Sequence, residues 1–212
     1  RSVISQSREA WERHFGKRPR TFRPGFFSAN DHTYHVLVME GFTQGSCSVP
    51  ARMDNDQCSM WFTACPHAHH TDPLNRLPVG NMEFLEFPVC SDYASISSLT
   101  TSTYTPQYLR IEDPNLHDFA EELIERHLEN MDSAGVPLDV ITLVTSNVVG
   151  WGGEDDPHVE RLQNICALLR RIAEKRGRTV EWKSMHDLHE LWDDKIGAAR
   201  RREMGPENGG KL

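Results

Sequence analysis

The stretch TFRPGFFSANDHTYHVLVMEGFTQGSCSVP, from Thr21 to Pro50, constrains the fold more than any other part of the chain. Thr21 and Phe22 read as a short extended piece that runs into the Arg23-Pro24-Gly25 loop. Asn30 or Asp31 can cap a helix over 31–40, because a short polar side chain can accept from the first free amides. Gly41 stops that helix, and Phe42 to Ser48 reads as a second strand. Strand, loop, helix, strand is one crossover unit of a parallel sheet. Residues just past the ends of parallel strands face the mouth of a sheet or barrel, where chemistry is usually placed. Position alone makes Arg23 a candidate site residue; the plain alternative is a surface salt bridge.

The remaining elements follow the same alternation. Ser7 to Phe15 predicts a helix with Ala10, Trp11 and Phe15 inward, followed by the basic turn Lys17-Arg18-Pro19-Arg20. Residues 51–78 are irregular, with Trp61 and Phe62 as anchors, and a loop of this length in a compact domain is often functional. Met82 to Val89 predicts a strand. Residues 95–105, rich in Ser and Thr, predict a loop with Tyr93, Leu99 and Tyr104 to bury. Asp113-Pro114 predicts a capped helix to about Asp132, with Phe119, Leu123, His127 or Leu128, and Met131 at helical spacing. Val140 to Val144 predicts a buried strand. Asp156-Pro157 opens a second long helix along Val159, Leu162, Ile165, Leu169 and Ile172, and Thr179 to Trp182 predicts a short strand. Ser184 caps a last helix with Met185, Leu188, Trp192 and Ile196 inward; from Arg200 onward the chain reads as a charged, glycine-rich, frayed tail. The class is α/β with a mainly parallel sheet and no internal repeats.

Composition narrows the partners. The 212 residues are enough to bury a sizeable core, and 23 basic against 31 acidic residues give a net charge of -8. That balance argues against a nucleic-acid backbone as ligand and suits a neutral or cationic one. Five cysteines without a Cys-x-x-Cys pair argue for reduced thiols, which favours a cytoplasmic protein. The sequence has no apolar run long enough to span a membrane, and its first residues do not read as a signal peptide.

The order Phe22-Arg23-Pro24-Gly25, Asn30-Asp31-x-Thr33, Gly41-Phe42, Ser46-x-Ser48, Pro50 resembles the later part of the polysaccharide deacetylase family, the NodB-homology or family-4 carbohydrate esterases. Met82 to Val89 resembles that family's strand ending in a carboxylate, an apolar residue, proline and valine. The run Val140 to Val144, a long helix and Arg178 to Ser184 resembles its tail. The resemblance covers about residues 7–192. It implies a distorted (β/α) barrel of the polysaccharide deacetylase type, of which this chain supplies the later strands. The domain so implied is partial and spans 1–199, with 200–212 as the tail. A missing N-terminal segment, or a partner chain, is then expected. The implied parent reaction is metal-dependent hydrolytic removal of acyl groups from a polysaccharide; a non-catalytic carbohydrate-binding or structural member of the same fold is the alternative.

The family's Asp-Asp pair and His-x-x-x-His motif, which hold a divalent metal such as zinc, do not occur in this sequence. Ser146 falls where the family usually carries a catalytic histidine, and a serine cannot act as an imidazole acid near neutral pH. By resemblance, Arg23 would orient a catalytic base that is missing here. Glu86 either faces the interior near a substrate or forms a structural pair with Arg23. Asn147 and Trp151, in a glycine-rich turn at a strand end, either meet a sugar ring or plug the core. His67, His69, His70 and Asp72 place three imidazoles and a carboxylate on one loop; they could hold a metal, or they form a solvated rim. His117, His127, His186 and His189 read as surface or boundary residues. Two consequences are checkable. Arg23, Ser48, Pro88 and Ser146 should sit near the C-terminal ends of parallel strands on one face. A barrel lacking its first strands should also leave an open edge, or cover it with 95–105 or a partner.

Overall fold

The computed structural model describes residues 2–146, 148–152 and 156–203. Helix α1, Ser2–Phe15, leads into β1, Thr21–Phe22, and a tight 3-10 turn at Gly25–Phe27. Helix α2, Asp31–Met39, starts at Asn30, whose side chain accepts from the His32 amide, while Thr33 returns a bond to the Asn30 amide. Strand β2, Gln44–Gly45, pairs in parallel with β1, so the crossover unit forms as expected. Gly45 lies where the strands approach: a Cβ there would stand 2.4 Å from the Phe22 carbonyl oxygen.

Strands β3, Met53–Asp54, β4, Ser59–Met60, and β5, His69–His70, follow, then β6, Leu85–Glu86. One sheet runs β1-β2-β6-β5, parallel across its first three strands and antiparallel at β5. Residues 44–50 and 84–90 are buried throughout, as strands covered on both faces must be. The second sheet, β4-β3-β8-β7, is antiparallel throughout. Here the sequence reading fails: residues 95–105 are not a loop but most of the hairpin formed by β7, Ser91–Leu99, and β8, Thr103–Tyr108. Alternating Ser and Thr suits an exposed strand as well as a loop, and only the pairing with β3 decides it. The architecture is therefore mixed α/β with parallel and antiparallel pairing, and the described residues do not close a barrel.

Helices α3, Leu116–Ala134, α4, Pro157–Lys175, and α5, Met185–Glu203, complete the chain. Helix α3 begins two residues later than expected, because the Asp113 carboxylate accepts from the Asn115 amide in a local turn. The α4 cap is as expected, with Asp156 accepting from the His158 amide. The α5 helix runs four residues past the expected boundary at 199, to Glu203. Neither 140–144 nor 179–182 forms a regular strand. Val144 makes a single parallel bridge to Arg110, and Thr142 accepts from the Cys90 amide. These bonds, with Val89 donating to Ser48, stitch the two sheets together.

Three apolar clusters fill the interior. The largest joins α3 and α4 through Leu123, Ile124, Met131, Ile165 and Ile172. The second lies under the parallel strands and contains Tyr34, Leu37, Trp61, Phe84 and Val144. The third seats Trp192 of α5 on Leu85 and Phe87. Several expected anchors are absent from them, and Ala10, Tyr93 and Leu99 are exposed. Trp11 and Phe15 remain about half exposed, their rings tilted against each other with centres 4.2 Å apart, because Ile4 is the α1 residue that reaches the core. Phe62 is exposed beside buried Trp61. Conversely His127 is buried on α3, where its position on the apolar stripe puts it. No helix of the described residues is long and apolar enough to cross a membrane.

Candidate functional site

Arg23, Ser48 and Pro88 follow the C-terminal ends of β1, β2 and β6, three adjacent parallel strands. Ser146 follows Val144 past its parallel bridge. The centre of this region is Glu86, which is 1% exposed. Its Oε1 accepts from the Cys47 amide at 2.7 Å, the Ser48 amide at 2.9 Å and the Ser48 hydroxyl at 2.8 Å. Its Oε2 accepts from the Tyr34 hydroxyl at 3.1 Å. Tyr34 arrives from α2, where it packs against Phe84. One carboxylate thus ties the end of β2 to α2 and β6.

Arg23 joins the assembly from β1. Its Nε donates to the Ser46 carbonyl at 3.1 Å, and its guanidinium lies 5.9 Å from the centre of the Phe27 ring. Burial lowers the Arg23 pKa, opposed by the attraction of Glu86. Burial raises that of Glu86, held back first by the Ser48 hydroxyl and the amides of Ser48 and Cys47. Cys47, buried beside the same carboxylate, is pushed well above the usual thiol range by burial and then by the Glu86 charge, so it is no nucleophile at neutral pH. The pair that the sequence left open is thus an electrostatic one, with Arg23 bonded to backbone and Glu86 saturated by other donors.

The loop after β1 carries backbone strain. Phe26 and Phe27 have φ of 55° and 57°, in the left-handed region that non-glycine residues rarely occupy. The Trp61 indole holds this shape by donating to the Phe27 carbonyl at 2.7 Å, while the Phe26 ring stands exposed. Strain maintained by a buried tryptophan is the sort of device found at ligand sites.

Ser146 sits in a second cluster. Its amide and the Thr145 hydroxyl donate to Glu112 Oε1, and its own hydroxyl accepts from the Val148 amide at 3.2 Å. Trp151 donates from its indole to the Ser146 carbonyl at 3.2 Å and is 38% exposed, so it is a partly open ring and not a plug. Asn147 and Gly153 lie outside the described residues. His158 faces Trp151 at 5.8 Å, and its Nδ1 lies 2.9 Å from Asp156 Oδ1. The amides of Gly152 and His158 hold the Asp156 carboxyl down to about 2. Glu112 and His158 were missed from sequence, where Glu112 stood in a turn and His158 in the first turn of a helix. Tyr34 was hidden in an apolar helix.

The four loop residues do not converge. His69 and His70 are successive residues of β5 and point to opposite faces. His69 Nδ1 lies 2.7 Å from the His67 carbonyl, and burial takes its pKa down to about 4. His70 lies on the other side, with Nδ1 2.9 Å from the Met82 carbonyl and its ring 6.1 Å from His189. Asp72 Oδ1 accepts from the amides of Leu74 and Asn75, which makes it a turn former. Among the described residues no three histidine, cysteine or carboxylate side chains are grouped to hold a metal ion. The donor set present therefore does not fit the divalent metal that the resemblance implies.

Compared with protein-family models, with curated proteins and with solved structures, the chain matches none.

Proposed function

We propose that the chain is a carbohydrate-active protein of the polysaccharide deacetylase type, with β1, β2 and β6 as later strands of a distorted (β/α) barrel and the 140–144 run, bridged at Val144, in the place of another. Its parent reaction is then metal-dependent hydrolytic removal of acyl groups from a polysaccharide. The observation that carries the reading is the joining of the strand ends. Arg23, the Ser46-Cys47-Ser48 turn and Glu86 are drawn together at the C-terminal ends of three parallel strands. Beside them, exposed Phe26 on its strained loop offers an apolar face to a sugar ring.

By itself this polypeptide binds sugar without turning it over. Ser146 cannot supply a proton as an imidazolium would, and a positioned acid contributes roughly 10²- to 10⁴-fold. Glu86 has all its hydrogen bonds inside the fold, which also supports the second reading, a non-catalytic binding or structural member. Acetylated chitotetraose, with and without added zinc, tests both. The expected result is binding weakened by Trp151→Ala, and no acetate release above background. Zinc-dependent acetate release that is lost on changing His67 and His69 to alanine would replace this reading with a hydrolase centred on the histidine loop.

A further inference from the structure

We propose that the groove between α1 and the outer edge of β1 binds an anionic saccharide, a run of sugar rings bearing carboxylates. This rests on the carbohydrate reading and adds the charge of the ligand. The groove encloses about 470 Å³ and opens along the side of β1 that has no partner strand among the described residues. Four arginines, Arg8, Arg18, Arg20 and Arg23, line it, and among the described residues no carboxylate does. On a chain of net charge -8, that is a local reversal of sign.

The four cations are not equivalent. Arg8 is neutralised by Glu9, Glu12 and Glu40. Arg18 donates to the Glu40 backbone carbonyl at 2.8 Å, a neutral acceptor that leaves its charge unbalanced. Arg23 is anchored on the Ser46 carbonyl and faces the Glu86 carboxylate, so Arg18 and Arg20 carry the uncompensated charge. Arg20 is exposed and has no ion pair or side-chain hydrogen bond among the described residues. Guanidinium forks facing a groove match carboxylates in pairs of parallel hydrogen bonds.

The groove's helix-side wall supplies the other half of the match. Trp11 lines it and is 48% exposed, its ring tilted 39° against Phe15 with the ring centres 4.2 Å apart. A flat, half-exposed indole can stack on a sugar ring while arginines across the groove take that ring's acid group. An acidic peptide would satisfy the arginines but leave the indole without a ring. A single strand of nucleic acid would offer rings and phosphates in place of carboxylates, and titration with a dT tetranucleotide makes it an outcome of the test.

Isothermal titration of the whole chain with tetragalacturonate, chitotetraose, tetraglutamate and a dT tetranucleotide tests this. Tetragalacturonate should bind at least about tenfold tighter than tetraglutamate or the nucleotide, and lose affinity as salt is raised. Trp11→Ala and Arg20→Ala should each weaken it by about fivefold or more with a cooperative thermal melt retained, since neither side chain belongs to a buried cluster. Equal affinity for tetraglutamate or the nucleotide, tetragalacturonate binding that survives Trp11→Ala, or no tetragalacturonate binding at all would each overturn the proposal. Chitotetraose binding that depends on Trp151 and not on Trp11 would, alongside such a result, leave the strand-end reading standing.

Discussion

His69 and Glu86 are direct partners in the β5–β6 ladder, and both are almost wholly buried. Their environments are nonetheless opposite. Glu86 has four donors around two oxygens. His69 Nε2 and the nearby His67 Nδ1 are buried without a hydrogen-bond partner among the described residues, and the His67 ring lies 5.6 Å from buried His127. A buried charge surrounded by donors becomes a joint that holds its neighbours in place. A buried base without an acidic partner is tolerated only while neutral. The first region should therefore be sensitive to the loss of its central group, the second to the gain of a proton.

Acidification should give the largest effect. Burial holds His69 and His127 down to about 4, so between the ordinary imidazole value and 4 the unfolded chain binds protons that the folded chain refuses. Their contribution is complete above pH 6.5 and is lost as pH falls toward 4, on the order of 5 kcal/mol for the two together. Glu86 runs the other way, because its raised carboxyl favours the folded state as acid is added. Denaturant melts from pH 7 to 4 should show the net loss, and His127→Phe should flatten it. An acid limb unchanged in both His69→Phe and His127→Phe would break the contrast.

Glu86→Ala comes next. It leaves the Cys47 and Ser48 amides and two hydroxyls buried without their acceptor and removes the charge facing Arg23, at a cost of about 4 kcal/mol. Urea unfolding measures it, and a loss near 1 kcal/mol would mean the latch is not what holds the strand ends.

Gly80→Ala probes the histidine side by shape. A Cβ at Gly80 would lie 2.3 Å from the Asp72 Cα, a backbone atom that cannot swing aside. Overpacking of this kind costs about 2 kcal/mol, and it should displace His70, whose carbonyl accepts from the Gly80 amide. The histidine ring signals in an NMR spectrum should move. If they hold still, the loop is more pliable than its burial indicates.

Tyr34→Phe is the finest cut. It removes the donor to Glu86 Oε2, and with it the hydroxyl's contact to the Cys47 thiol, and keeps the ring on Phe84, so about 1 kcal/mol should be lost, most of it absent in a Glu86→Ala background. Full additivity of the two would show that the hydroxyl does not act through Glu86.

Local chemistry decided what the sequence could show by itself. Asn30, Gly41 and Asp156-Pro157 act within a few residues of themselves, so the α2 and α4 starts and the β1-α2-β2 unit were legible. The apolar stripe of α4 was too, since Ile165, Leu169 and Ile172 recur on one face. The strand-end positions of Arg23, Ser48 and Pro88 followed from that order of elements. Non-local pairing decided the rest. Only the β3–β8 ladder makes a hairpin of 91–108, and only the approach of α2 to β6 gives Glu86 its fourth donor. The three loop histidines look like one cluster because they are close in sequence, and the strand pleat of β5 turns His70 away from His69. Charge shows the same division. The basic turn with Arg18 and Arg20 was legible within a chain of net charge -8, whereas its placing across a groove from Trp11 arises from packing α1 along a sheet edge.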